Sequence, residues 1–215
     1  MTIENALKNF QENYQAKNFG QAIEVLEKNS KDFDPVIWHY NMGSSYAQLG
    51  VWADARYHFL KAERLGLSTE MLRQSKLFVE TKLEVDKWEK SLTASDFLIA
   101  GTRILGEGPL ITLSLMGFLI LAFVYKKMKS TSTYLLAVIV LFLTLNIAIK
   151  YMPFKFTLTS MPIFEGPSKI FVPRTEIPAG IIILSLSEEG WEHVIYPSRY
   201  EGWIKKTNGL KNLGD

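Results

Sequence analysis

The side chains best equipped for chemistry in this sequence are three histidines, His39, His58 and His193. Each stands apart in the sequence from the carboxylates and further histidines that a metal site needs, so all three read as structural. There is no cysteine, and with it no thiolate nucleophile, disulfide framework or Cys-based metal site. The stretch "GTRILGEG" lacks the Lys-Ser/Thr of a phosphate-binding loop, and no serine stands in a nucleophile elbow. The chain is therefore expected to be no enzyme and to carry no cofactor or metal. What remains is recognition chemistry, done by aromatic, amide and basic side chains on surfaces that the fold must shape. A net charge of +2, with lysines interspersed among acids, fits neither a nucleic-acid binder nor an acidic tail.

The first elements that could position such side chains repeat. A register of 33 residues sets Phe19, Ala22, Leu26 and Asn29 against Trp52, Ala55, Phe59 and Ala62, a period typical of helical repeats. The second copy, Trp38 to Ala62, places Asn41-Met42-Gly43, Tyr46, Gly50, Ala55, Phe59 and Ala62 at intervals that resemble a tetratricopeptide (TPR) repeat. Gly43, Ala55 and Ala62 are small where helices approach closely, Tyr46 and Phe59 fill the space between them, and Gly50 suits a left-handed helix end. The first copy departs from the pattern at Phe10 and Asn13 but keeps Phe19, Ala22, Leu26 and Asp34-Pro35. After Ser68 and Thr69, the stripe Met71, Phe78, Val85 and Leu92 predicts a capping helix, or a coiled-coil partner face, to close a module over residues 1–92.

The TPR resemblance implies a binding scaffold, with contacts from the inner face of each first helix: Lys8, Gln11 and Gln15, then Tyr40, Asn41, Ser44 and Gln48. Lys8 and Asn41 would hold a peptide carboxylate; a solvated polar face accounts for the same residues.

Beyond a linker or surface-lying segment over 93–107, two runs change the expected class. Residues 108–125 hold 18 uncharged residues and 133–149 hold 17. As helices they cover roughly 25–27 Å, near a ~30 Å hydrocarbon core. They predict transmembrane helices over 108–125 and 133–152. Two spans return the chain to its starting side. Lys126, Lys127 and Lys129 between them favour a cytoplasmic loop, which puts both flanking modules in the periplasm.

From 160 to 215 the pattern turns to β. Pro178-Ala179-Gly180, the apolar run from Ile181 to Leu184, Gly190-Trp191, Val194, Gly202-Trp203-Ile204 and a closing Leu210 or Leu213 resemble a bacterial SH3 (SH3b) domain. Gly180, Gly190 and Gly202 permit tight turns. Trp191, His193 and Ile195 alternate with Glu192 and Val194. Trp203 is expected in the core, while Trp191, Tyr196, Arg199 and Tyr200 are candidates for ligand contact.

The expected fold class is thus a multidomain membrane protein: all-α TPR-like repeats, a two-helix transmembrane hairpin and a small all-β SH3-like barrel. That order of parts resembles the E-type protein of the Bat (Bacteroides aerotolerance) group. The resemblance implies a non-enzymatic scaffold in a bacterial inner membrane, linked to stress or oxygen tolerance, with membrane-anchored von Willebrand factor A (VWA) domain proteins and a MoxR-type AAA ATPase as partners. Two alternatives stand beside it: an envelope anchor whose barrel binds peptidoglycan, and a cytoplasmic-facing adaptor for secretion or signalling.

Overall fold

Helix boundaries in the first third of the chain follow from single residues. Asp34 accepts from the Val36 and Ile37 amides at 2.9 and 3.2 Å, and Pro35 opens the helix behind it. Gly50 takes φ +75°, which ends that helix and turns the chain into the next. Thr69 caps a third start by accepting from the Leu72 amide at 3.2 Å. A computed structural model describes residues 3–85, 87, 93, 96, 116–117, 144 and 152–213. Its helices are α1 (Ile3–Gln15), α2 (Phe19–Lys28), α3 (Pro35–Gln48), α4 (Trp52–Arg64) and α5 (Glu70–Lys82). Its strands are β1 (Phe154–Thr157), β2 (Met161–Ile163), β3 (Thr175–Ile177), β4 (Ile182–Glu188), β5 (Trp191–Tyr196), β6 (Gly202–Lys205) and β7 (Leu210–Asn212), with a 3-10 turn at Ser198–Tyr200.

The helices pack as two pairs plus α5. A side chain at Gly43 would meet the Phe59 ring at 2.7 Å and the Ala55 carbonyl at 3.2 Å, so α3 and α4 touch there backbone to ring. Ala55, Phe59 and Ala62 are buried around that contact. Ala22 and Leu26 are buried at the corresponding places of the first pair, with Ala6, Phe10 and Met42. Helix α5 buries Leu72 and Val79 and leaves Met71, Leu77 and Phe78 exposed. The expected stripe through Met71 and Phe78 is therefore one residue out of phase; Val85 is buried, and Leu92 lies outside the described residues.

The five-stranded antiparallel sheet runs β6-β5-β4-β1-β7, and β2 and β3 form a second ribbon joined to it by the Phe164–Trp203 bridge. Glu189 and Gly190 both take positive φ at the β4–β5 hairpin, as a two-residue turn matched to strand twist requires. Along β5 the buried residues are Glu192, Val194 and Tyr196. Met161, Ile163, Ile177, Ile183, Val194, Tyr200 and Ile204 form the interior beneath. The β unit begins at Phe154, earlier than the expected 160. Phe154 and Phe156 of β1 are both buried.

The class expected from the apolar runs is corrected. Among the described residues no helix is long and apolar enough to cross a membrane. The described helices hold 10 to 14 residues, a rise of roughly 15–21 Å against the ~30 Å that a span must cover. The runs 108–125 and 133–152 lie outside the described residues except for Met116, Gly117, Thr144 and Met152. The inner-membrane placement with periplasmic modules rested on those runs, and no spanning helix among the described residues supports it.

Helices and sheet are joined by a shared core. Ala53, Tyr57 and Leu60 of α4 pack against Phe154, Phe156, Leu184, Tyr196 and Leu213 of the β unit. Arg56, one helical turn from Ala53 and Leu60 and only 6% exposed, crosses this seam. Its Nε and Nη2 donate to Glu80 Oε1 at 3.1 and 3.0 Å, and its Nη1 donates to the Gly180 carbonyl. Gly180 takes φ +87°, and its Cα faces Leu83 so closely that a Cβ would meet Leu83 Cδ1 at 2.9 Å. On the other side of the β unit, Asp96 accepts from the Ser198 amide at 3.0 Å and the Ser198 hydroxyl at 2.8 Å, and also from Thr93. Burial opposes ionisation of Asp96, but these hydrogen bonds outweigh it and hold its carboxyl below the usual carboxylate range.

Replacing Arg56 by Met keeps the apolar stem and removes all three donated bonds. Glu80 and the Gly180 carbonyl then lose their partner at the seam, a loss on the order of 3 kcal/mol. Urea unfolding followed by helical circular dichroism should show an earlier midpoint and an unfolding free energy lower by that amount; an unchanged midpoint would mean that Arg56 does not hold the seam.

Candidate functional site

Two concave surfaces emerge from this arrangement. The smaller, of about 560 Å³, lies on the β unit. Trp191 at the start of β5 meets Phe164 edge to face, with centroids 5.5 Å apart and planes at 85°. Met161 and Pro162 continue the apolar wall, and Lys169 and Lys205 supply its charges. The loop between β2 and β3 rises beside Lys169, with Ile170 91% and Val172 81% exposed. The groove thus joins an aromatic edge, a proline and two cations.

The larger surface, of about 1030 Å³, is a cleft between the second helix pair and the β unit. Its helical wall carries Trp38, Tyr46, Tyr57 and the pair His39 and His58, whose Nδ1 atoms are 2.9 Å apart. One imidazole N–H donates to the other ring's bare nitrogen, which requires that at least one ring be neutral. Tyr46 stacks on His58 at 5.5 Å and 22°, and Trp38 meets it edge-on at 5.3 Å. Burial lowers the His39 pKa to about 4, helped by the charge of Lys61. Burial lowers that of His58 to about 3, helped by His39, Lys211 and Lys61. Asp54, on the same wall, is pushed up by burial, against the pull of Lys211.

The β wall of the cleft is built on Glu192, only 1% exposed. Its carboxylate accepts from Lys155 Nζ, from Ser185 Oγ at 2.8 Å and from Ser187 Oγ at 2.7 Å. Burial opposes its charge, but Lys155 and the two hydroxyls outweigh it and hold the carboxyl below its ordinary range. Lys206 and Lys211 stand along the same wall.

The residues expected from the sequence to make contacts fall in several places. Trp191 lines the groove on the β unit. Arg199 is exposed and lies 5.9 Å from the Tyr200 ring centroid. Tyr196 and Tyr200 are corrected to core: they are 5% and 3% exposed, Tyr196 on the seam with α4 and Tyr200 in the β interior. Trp203 is corrected in the opposite sense. It pairs with His193 across β5 and β6, so it shares that residue's outward face, and it stacks on the imidazole at 4.7 Å and 26°. Ile204 takes the interior position.

On the helices, Lys8 pairs with Glu12 at 3.9 Å, both exposed. Gln11, Gln15 and Gln48 are exposed, whereas Tyr40, Asn41 and Ser44 are half-buried. Ser44 donates back to the Tyr40 carbonyl at 2.9 Å. None of these seven lines either concave surface. The separation of the histidines is corrected too, since His39 and His58 are hydrogen-bonded. A signal that could have found them is the pair of aromatic–His dipeptides, Trp38-His39 and Tyr57-His58, on either side of the Gly50 turn. Among the described residues no three His, Cys, Asp or Glu side chains converge to hold a metal. Comparison of the chain with protein-family models, curated proteins and solved structures finds no match.

Two outcomes are expected. Tyr200→Ala removes a buried ring and should cost about 3–5 kcal/mol, whereas Trp203→Ala removes a half-exposed one and should cost far less; thermal melts that rank the two the other way would return Trp203 to the core. For the histidines, both rings stay neutral in the fold, while the unfolded chain takes up protons near pH 6.5. Their contribution is therefore intact above pH 6.5 and is lost as pH falls toward 4, at up to about 1.4 kcal/mol per pH unit for each ring. Denaturant midpoints measured from pH 7 to 4.5 should drop, and His58→Gln should flatten that slope. An unaltered slope would show that His58 titrates normally.

Proposed function

We propose that the chain is a non-enzymatic binding scaffold, in which TPR-like helix pairs brace an SH3-like barrel that captures an extended peptide segment of a partner protein. The observation that carries this reading is the groove at Trp191. An edge-to-face aromatic pair beside a proline offers slots for apolar side chains, and Lys169 and Lys205 favour a segment with acidic residues beside them. The exposed Ile170 and Val172 extend the apolar rim at one end. The volume suits a few side chains of a bound strand, and its position away from the α4 seam leaves it open for docking. The resemblance to the Bat E-type proteins nominates VWA-domain proteins and a MoxR-type AAA ATPase as partners to test first.

A random-peptide display selection on the full chain, followed by fluorescence anisotropy with the enriched peptide, tests the groove. Trp191→Ala should weaken binding on the order of tenfold or more, because a central aromatic anchor dominates such interfaces. Its melting temperature should change little, as Trp191 is only half-buried. Enriched peptides that bind the Trp191→Ala chain as well as the parent would sink this reading, and a preference for peptidoglycan fragments over every peptide would replace it.

A further inference from the structure

We propose that the cleft between the helices and the β unit is a second binding site, which takes an extended peptide segment with acidic side chains on one face and apolar or aromatic side chains on the other. The two walls differ in kind. The helical wall presents Trp38, Tyr46 and Tyr57. The β wall presents lysines: Lys155 is matched by the buried Glu192, and Lys206 and Lys211 stand beside it, Lys211 within electrostatic reach of Asp54 on the other wall. An extended strand sends alternate side chains to opposite sides. Such a strand can therefore set rings against the aromatic wall and carboxylates against the lysines at once. Glu27 and Asp54 lie on the helical wall and repel acidic groups from it. They fix which face of the segment turns which way.

Two further features fit a site rather than a gap left by packing. The walls belong to elements locked together by Arg56 and by the α4–β1 core, so the cleft exists before a ligand arrives and little ordering cost remains. The walls also bury groups that a purely structural seam has no need of: the hydrogen-bonded His39 and His58, and Lys61 at 6% exposure. The volume of about 1030 Å³ is large enough for several side chains of a peptide. This cleft meets the groove at Trp191 at Thr207 and shares no other lining residue with it, so the two readings are tested apart.

The test uses the full chain and a fluorescein-labelled peptide of alternating Glu and Tyr, read by fluorescence anisotropy. Two controls share its length: one with the same residues in two blocks, the other with Gln in place of Glu. The alternating acidic peptide should bind, and both controls should bind on the order of tenfold more weakly. Lys206→Glu with Lys211→Glu should abolish the preference. Lys17→Glu with Arg64→Glu, exposed and outside the cleft, and Trp191→Ala should leave it intact. Circular dichroism confirms that each variant is folded; if the charge-reversed pair is not, Lys206→Gln with Lys211→Gln serves instead and should lower the affinity severalfold. The proposal is overturned if the block peptide binds as well as the alternating one, if the variants outside the cleft lose as much as those in it, or if Trp191→Ala removes the binding.

Discussion

The cleft between helices and sheet depends on a single buried guanidinium. Arg56 sits on α4, donates to Glu80 on α5 and reaches the carbonyl of Gly180 in the β unit, 124 residues further along the chain. A lysine in its place would offer its donors from a single nitrogen, whereas the guanidinium reaches Glu80 and the Gly180 carbonyl from three separate ones. Gly180 answers on the other side. Its positive φ turns the chain so that its carbonyl faces Arg56, and the absence of a Cβ lets Leu83 close over it. The apolar seam through Ala53, Tyr57, Phe154 and Phe156 supplies contact area, but area alone is non-directional. The guanidinium sets the angle at which helices and sheet meet, and that angle sets the cleft.

The distribution of buried charge follows the same division. In the helices, the buried His58 and Lys61 line the cleft and the buried Arg56 crosses the seam, while the α1–α2 interior is apolar. In the β unit, Glu192 occupies the one inward position of β5 that Lys155 of β1 and the β4 serines can reach. An isolated carboxylate at 1% exposure would be heavily penalised, and three donors offset the loss of water. The result is a β wall in which hydrogen bonds fix Glu192 and Lys155, with the exposed Lys206 and Lys211 beside them.

What the sequence made legible was local. Small residues at Gly43, Ala55 and Ala62 and a ring at Phe59 state a close helix contact by themselves, because no other arrangement of those side chains fills the space. Asp34-Pro35, Thr69 and the glycines at 50, 180, 190 and 202 mark turns through backbone constraints that hold in any context. The faces of β5 were legible as well, but only if followed to the end of the strand. The alternation that buries Glu192 and Val194 also buries Tyr196, and the pairing of His193 with Trp203 turns that tryptophan outward. Aromatic residues in a turn-rich stretch invite a ligand reading. The strand period overrides it.

The cleft was not legible, and the reason is physical. Its walls come from α3 and α4 on one side and from β1, β4, β5 and β7 on the other, brought together by contacts with no sequence period and no fixed spacing. Tyr57 illustrates the point. By helical phase it is simply the residue after Arg56, yet its ring packs on Phe156 at 5.7 Å and its hydroxyl donates to the Asn212 carbonyl at 3.2 Å. The same ring meets His58 edge-on at 5.2 Å. One side chain thus couples the strand that closes the β unit to the histidine pair in the helices. Because packed interiors yield little to local displacement, the placement of this one ring ties the position of the helical wall to that of β1 and β7.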